Sequence, residues 1–234
     1  MDYPPARLLN PRLLSGLLAA SLVAGLLGAA PAPPRLELQI MRATFDPLDA
    51  IDVTIRVVND RSTPIVIRFG QTSEYGLAIA RDGGDRWSSP AATGGAPHAR
   101  TFPRGATTLV TYEWNGVLAD GTAPAPGAYT LHGTLLASGA QPNAAVRIRI
   151  DAPLPISALG KTGAQVVTVA GTLDAVGMVL RDATGEIELA HRIANVAPGT
   201  TVDVRGSMEI QPDGTKAFAI ERWAPRIAAS PRPG

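Results

Sequence analysis

A chain of 234 residues, 45% of them hydrophobic, carries enough apolar material for one or two packed domains. The formal net charge is +1, and setting aside Arg7, Arg12 and Asp2 of residues 1–30 leaves 19 basic side chains against 19 acidic ones. So even a balance gives no broad field toward nucleic acid or anionic lipid. The absence of cysteine excludes disulfides, thiolate nucleophiles, thiolate metal sites and a lipidated N-terminal cysteine.

Leu13 to Ala30 is free of charge and follows Arg7 and Arg12, the arrangement of an export signal or of an N-terminal hydrophobic helix serving as a membrane anchor. Small residues at Gly28-Ala29-Ala30 suit a signal peptidase, whereas Pro31 opposes cleavage there, so a cleaved signal and a retained anchor both stay open. Either way the body of the chain is expected outside the cytoplasm: secreted, periplasmic or anchored. Pro31 to Pro34 reads as a stiff spacer.

From residue 35 to 151 the pattern is that of short strands. Leu36, Leu38 and Ile40 alternate with polar neighbours, and Ile51, Val53, Ile55 and Val57 alternate with Asp52, Thr54 and Arg56. Further runs begin at Pro64 and Leu77. Asp82-Gly83-Gly84-Asp85 is a hairpin turn returning through Trp87, and residues 106–114, 129–136 and 145–150 complete the set. Pro126-Gly127 turns the chain into Tyr129, which predicts an inward tyrosine whose hydroxyl ties the corner to the backbone. Seven or eight such strands and no helical period predict an immunoglobulin-like β-sandwich.

The order of Asn59, Gln71, Tyr75, Trp87, Pro103-Arg104-Gly105, Trp114, Asp120-Gly121 and Pro126-Gly127-Ala128-Tyr129 resembles the BsuPI domain, the domain of an intracellular proteinase inhibitor. The resemblance spans roughly residues 36–150. It implies an Ig-like sandwich and a protein partner, with a protease as the candidate class.

Candidate contacts follow from residue chemistry. Trp87, Trp114 and Tyr75 would form an exposed aromatic platform, although packing in the core is the commoner use of such side chains. The segment from Ser88 to Arg104 reads as a recognition loop, in which Arg100 and Arg104 would enter an acidic specificity pocket if the loop is inhibitory; an ordinary surface loop is the alternative.

Residues 152–164 form a linker rich in Pro, Gly and Ser. From 165 to 224, five strand patterns with Gly171 and Gly206 as kinks predict a small OB-like barrel. The run L-R-D-x-T-G-x-I-x-L resembles bacterial OB-fold domains. An OB face would use Phe218 and Trp223, the aromatics of that region. From Asp151 onward there are eight Lys or Arg against nine Asp or Glu, a balance that speaks against nucleic acid as the ligand and fits oligosaccharide or protein contact better. Residues 225–234 are expected to be a disordered tail.

No metal site, cofactor motif or catalytic constellation is expected. His98, His132 and His191 lack ligand spacing, and neither a G-x-S-x-G elbow nor a phosphate loop occurs. The sequence therefore predicts an all-β, non-enzymatic, extracytoplasmic protein-recognition module. The alternatives are an envelope-associated adaptor without inhibitory activity and an OB-domain binder of oligosaccharide or nucleic acid.

Overall fold

The computed structural model describes residues 33–70, 73–81, 86–90, 95–139, 141–162 and 165–226. The expected signal or anchor, Gln71, the Asp82–Asp85 turn, part of the 88–104 segment and most of the 225–234 tail lie outside these residues. Among the described residues no helix is long and apolar enough to cross a membrane.

The strands, in chain order, are β1 (Arg35–Ile40), β2 (Thr44–Phe45), β3 (Ile51–Asn59), β4 (Ile65–Phe69), β5 (Tyr75–Ala80), β6 (Arg86–Ser88), β7 (His98–Phe102), β8 (Gly105–Trp114), β9 (Gly127–Leu135) and β10 (Asn143–Ile150). There follow a 3₁₀ turn at Ile156–Lys161, then β11 (Val167–Leu173), β12 (Val179–Asp182), β13 (Gly185–Glu188), β14 (Thr201–Ile210) and β15 (Lys216–Pro225). The protein is all-β, as its turn-punctuated alternation predicts.

The first ten strands form a three-stranded sheet of order β1-β3-β8, a five-stranded sheet of order β2-β10-β9-β5-β6 and the β4-β7 pair. The alternation read in β3 is the observed one: Ile51, Val53, Ile55 and Val57 are buried while Asp52 is exposed. Their partners across one hydrophobic core include Phe69, Ile79, Phe102, Trp114, Tyr129 and Leu131. Tyr129 is buried and its hydroxyl donates to the Ala125 carbonyl at 2.8 Å, the corner tie that the Pro-Gly-Ala-Tyr order predicts.

The last five strands form a sheet of order β13-β12-β11-β14-β15 over a second core, which contains Val169, Leu180, Val204 and Phe218. The expected closed barrel is not observed. After the four residues of β13 the chain leaves the ladder, and only an isolated parallel bridge, Leu189 to Phe218, joins that end to β15. The kink expected at Gly206 is a register shift between Arg205 and Gly206. A Cβ at Gly206 would stand 1.9 Å from the Ala219 carbonyl oxygen, so the crossing backbone requires glycine there.

The described residues pack around both cores and a smaller cluster of Leu48, Ala123 and Ala224. Three turns share one device. Asp120, Asp182 and Asp213 each accept, on Oδ1, both the backbone N–H and the hydroxyl of the threonine two residues on.

Candidate protein-binding groove

Trp87 and Ser88 of β6, Tyr112 and Glu113 of β8, and the loop residues Asn115, Val117, Leu118 and Ala119 line a groove of about 470 Å³. The ring of Trp87 lies 5.5 Å from that of Tyr112 and 6.1 Å from that of Trp114, both tilted, in the range of favourable aromatic packing. Trp87 and Tyr112 are half-buried and open to the groove.

Trp114 belongs to the core beneath the groove lining rather than to an exposed platform. It is 1% exposed, and its indole Nε1 donates to the Val117 carbonyl at 2.9 Å, which fixes the turn that shapes one end of the groove. Tyr75 is half-buried against the same core, and burial together with the neighbouring Tyr112 pushes its hydroxyl above its ordinary pKa. It does not line the groove. Tyr112, missed by sequence reasoning, takes the place expected for Trp114. Its signal was present, since Tyr112 and Trp114 share one face of a strand that alternates aromatic and polar residues.

Arg100 is not on a loop. It lies on β7, where Nη1 meets Glu74 Oε2 at 2.8 Å and the guanidinium lies 5.4 Å from the centre of the Phe102 ring. Glu74 also receives His98, with Nε2 at 2.8 Å from Oε1. That hydrogen bond, followed by one to the Ala96 carbonyl, raises the pKa of His98. Arg100 is thus engaged within the fold instead of projecting toward a specificity pocket. Arg104 is exposed in the tight connection between β7 and β8. Neither arginine lines the groove.

In the second sheet Phe218 is fully buried, so it offers no face to a ligand, and Trp223 is half-buried against the same core. One cavity on that sheet includes Glu188, Asp213, Gln211 and Pro212 in its lining and has no Lys or Arg, while another, between β14, β15 and the loop after β2, sets Arg42, Arg205 and Arg222 beside Asp49 and Glu221. The Glu188 and Asp213 carboxylates give the first of these the wrong sign for a phosphate backbone. Among the described residues no group of His, Asp or Glu is placed to hold a metal ion.

No curated protein matches the chain. Among solved structures, a β-glucosidase from Erythrobacter marinus is 17% identical with a TM-score of 0.30, covering 50% of this chain but only 15% of the glucosidase. The sporulation control protein Spo0M from Bacillus subtilis is 11% identical with a TM-score of 0.36, covering 80% of this chain and 84% of Spo0M. Scores this low carry no argument about fold or function. The family match is more specific: residues 38–140, from β1 to the segment before β10, match the BsuPI family, described as intracellular proteinase inhibitor.

Proposed function

We propose that the chain is a non-catalytic protein-recognition module of the proteinase-inhibitor type, with a protease as the partner class and the groove between β6 and β8 as the contact surface. The supporting observation is a groove bearing Trp87 and Tyr112 within the residues that match an inhibitor family. Half-buried aromatics on a rigid sandwich supply large contact area at low entropic cost. The residues from 35 to 151 would be the recognition unit and those from 165 to 224 a second module.

The reading includes export, although the family is described as intracellular. Its support is the uncharged Leu13–Ala30 segment behind Arg7 and Arg12. A C-terminal reporter that matures only outside the cytoplasm checks this part, and a reporter active only inside would overturn it.

The central test is a panel of serine, cysteine and metalloproteases assayed with the full chain, with cleavage of the chain followed in parallel. Stoichiometric inhibition of one class, weakened by Trp87→Ala, is the expected result. A flat panel with an intact chain would overturn the inhibitor reading and leave an adaptor that captures a partner without blocking it.

A further inference from the structure

β6 ends the five-stranded sheet and β8 ends the three-stranded one, and the groove lies between these two terminal strands; on the β6 side the Arg86 carbonyl accepts the Ala119 N–H at 3.2 Å, which leaves β8 as the open edge. Successive residues of a strand point to opposite faces. A strand that lends two successive residues to one groove therefore borders it with its edge. Both strands do so, through Trp87-Ser88 and Tyr112-Glu113. The other edge of β8 is taken up by β3, from Ile51 opposite Trp114 to Asn59 opposite Gly105. Among the described residues, no backbone hydrogen bond reaches Val110–Glu113 from outside that ladder. Arg100 Nη2, 3.5 Å from the Thr108 carbonyl, approaches only the other half of the strand. A row of unpaired backbone donors and acceptors beside an aromatic wall is a template for another strand.

The charge at this edge is one-sided. Glu113 is the charged residue of the groove lining, and Asp52 stands opposite it across the β3–β8 ladder, with both exposed. Like charges directly opposite each other disfavour the pairing, and a cation placed beside them would relieve it. Arg86, next to Trp87 on β6, is not part of the lining.

We propose that the groove takes an extended peptide segment of a partner protein, added as a strand to the open edge of β8. A proline or aliphatic side chain of that segment rests on Trp87 and Tyr112, and a lysine or arginine of the segment meets Glu113. This rests on the recognition reading and specifies its chemistry: main-chain hydrogen bonds supply affinity, while the aromatic wall and the acidic pair select sequence.

The test is selection from a display library of random ten-residue peptides on the purified full chain. Enrichment of peptides combining Lys or Arg with Pro or aliphatic residues is expected. One enriched peptide is then remade with N-methylated amides in either of the two alternating registers. In an added strand only one register faces β8, so that one weakens binding about tenfold or more, and the other leaves it unchanged. Glu113→Lys, which also relieves the repulsion from Asp52, should weaken binding by a similar factor with a melting temperature no lower than that of wild type, whereas Arg181→Ala should have no effect on binding. The proposal is overturned if the library does not converge, if both methylated registers bind alike, or if Glu113→Lys binds as well as wild type. It is also overturned if Glu113→Lys merely dissolves a homodimer, since the occupant would then be a second copy. A flat protease panel with a converged library removes the protease and keeps the peptide groove, and inhibition without convergence does the reverse.

Discussion

Arg205 Nη1 lies 2.7 Å from Asp49 Oδ1, which joins β14 to the loop after β2. The other oxygen of Asp49 accepts from Arg42 Nη2 at 2.5 Å and from the Asp46 backbone N–H at 2.8 Å. Asp49 is 3% exposed, so these donors replace the water that its carboxylate gives up on burial. Arg222 adds bonds to the carbonyls of Leu48 and Asn115, and Thr168 Oγ1 donates to the Pro47 carbonyl at 2.6 Å. Removing the carboxylate leaves Arg205, whose side chain is 19% exposed, without its principal partner. Asp49→Ala should therefore destabilise by about 3 kcal/mol, read from urea unfolding. A loss below about 1 kcal/mol would show that the network is replaceable by water.

Asp203 carries the opposite penalty. It is fully buried on β14, and desolvation pushes its pKa up to about 6 despite Arg226 Nη2 at 2.7 Å. The folded state therefore holds its proton more tightly than the unfolded chain does. The contribution of this residue to stability is fully present below the ordinary aspartate pKa and is lost as pH rises through about 6. Acidification from pH 7 to pH 4.5 should thus stabilise wild type relative to Asp203→Asn by about 2 kcal/mol. Comparing the two proteins cancels Asp120, Asp174, Asp182 and Asp213, whose lowered pKa values act in the other direction. Parallel stability curves for the two proteins would refute the assignment.

Tyr129→Phe removes one hydroxyl and leaves the Ala125 carbonyl without that donor. The expected cost is about 1 kcal/mol, a fall in melting temperature with the protease panel and peptide binding unchanged, because Tyr129 is 1% exposed and does not line the groove.

His98 should titrate above the ordinary histidine range in an NMR pH series, and Glu74→Gln should bring it down. The stabilisation from this pair is present below the unfolded histidine pKa and lost as pH rises through the raised folded value. An unchanged His98 titration in Glu74→Gln would mean that the 2.8 Å contact does not persist in solution.

What the sequence disclosed follows the burial pattern. β3 was legible because one face is uniformly aliphatic and buried. β7 read as loop because His98, Ala99, Arg100 and Thr101 offer no apolar stripe; only Phe102 is buried, and its partner β4 lies far upstream, with pairs running from Phe69–His98 to Ile65–Phe102. The open barrel was illegible for a similar reason, since its closure depends on how far β13 extends and not on any local pattern. At the groove, Trp87 of the three aromatics named from sequence lies in the lining, and Tyr112 stands there where Trp114 was expected. Strand alternation puts them on one face, and only the position of β6 at the far sheet edge decides which of them is covered. The three Asp-x-Thr turns were visible as turns, while the reason for threonine, its hydroxyl on the same carboxylate oxygen, is visible only in three dimensions.

The small cluster of Leu48, Ala123 and Ala224 unites residues from the beginning, middle and end of the described chain. Leu48 is fully buried in a left-handed conformation at φ 63°, and Ala123 donates its N–H to the Pro225 carbonyl. A ribosome making this protein releases the loops around Leu48 and Ala123 long before Ala224 exists. During synthesis Leu48 and Ala123 therefore lack the side chain that completes their cluster until translation has reached β15.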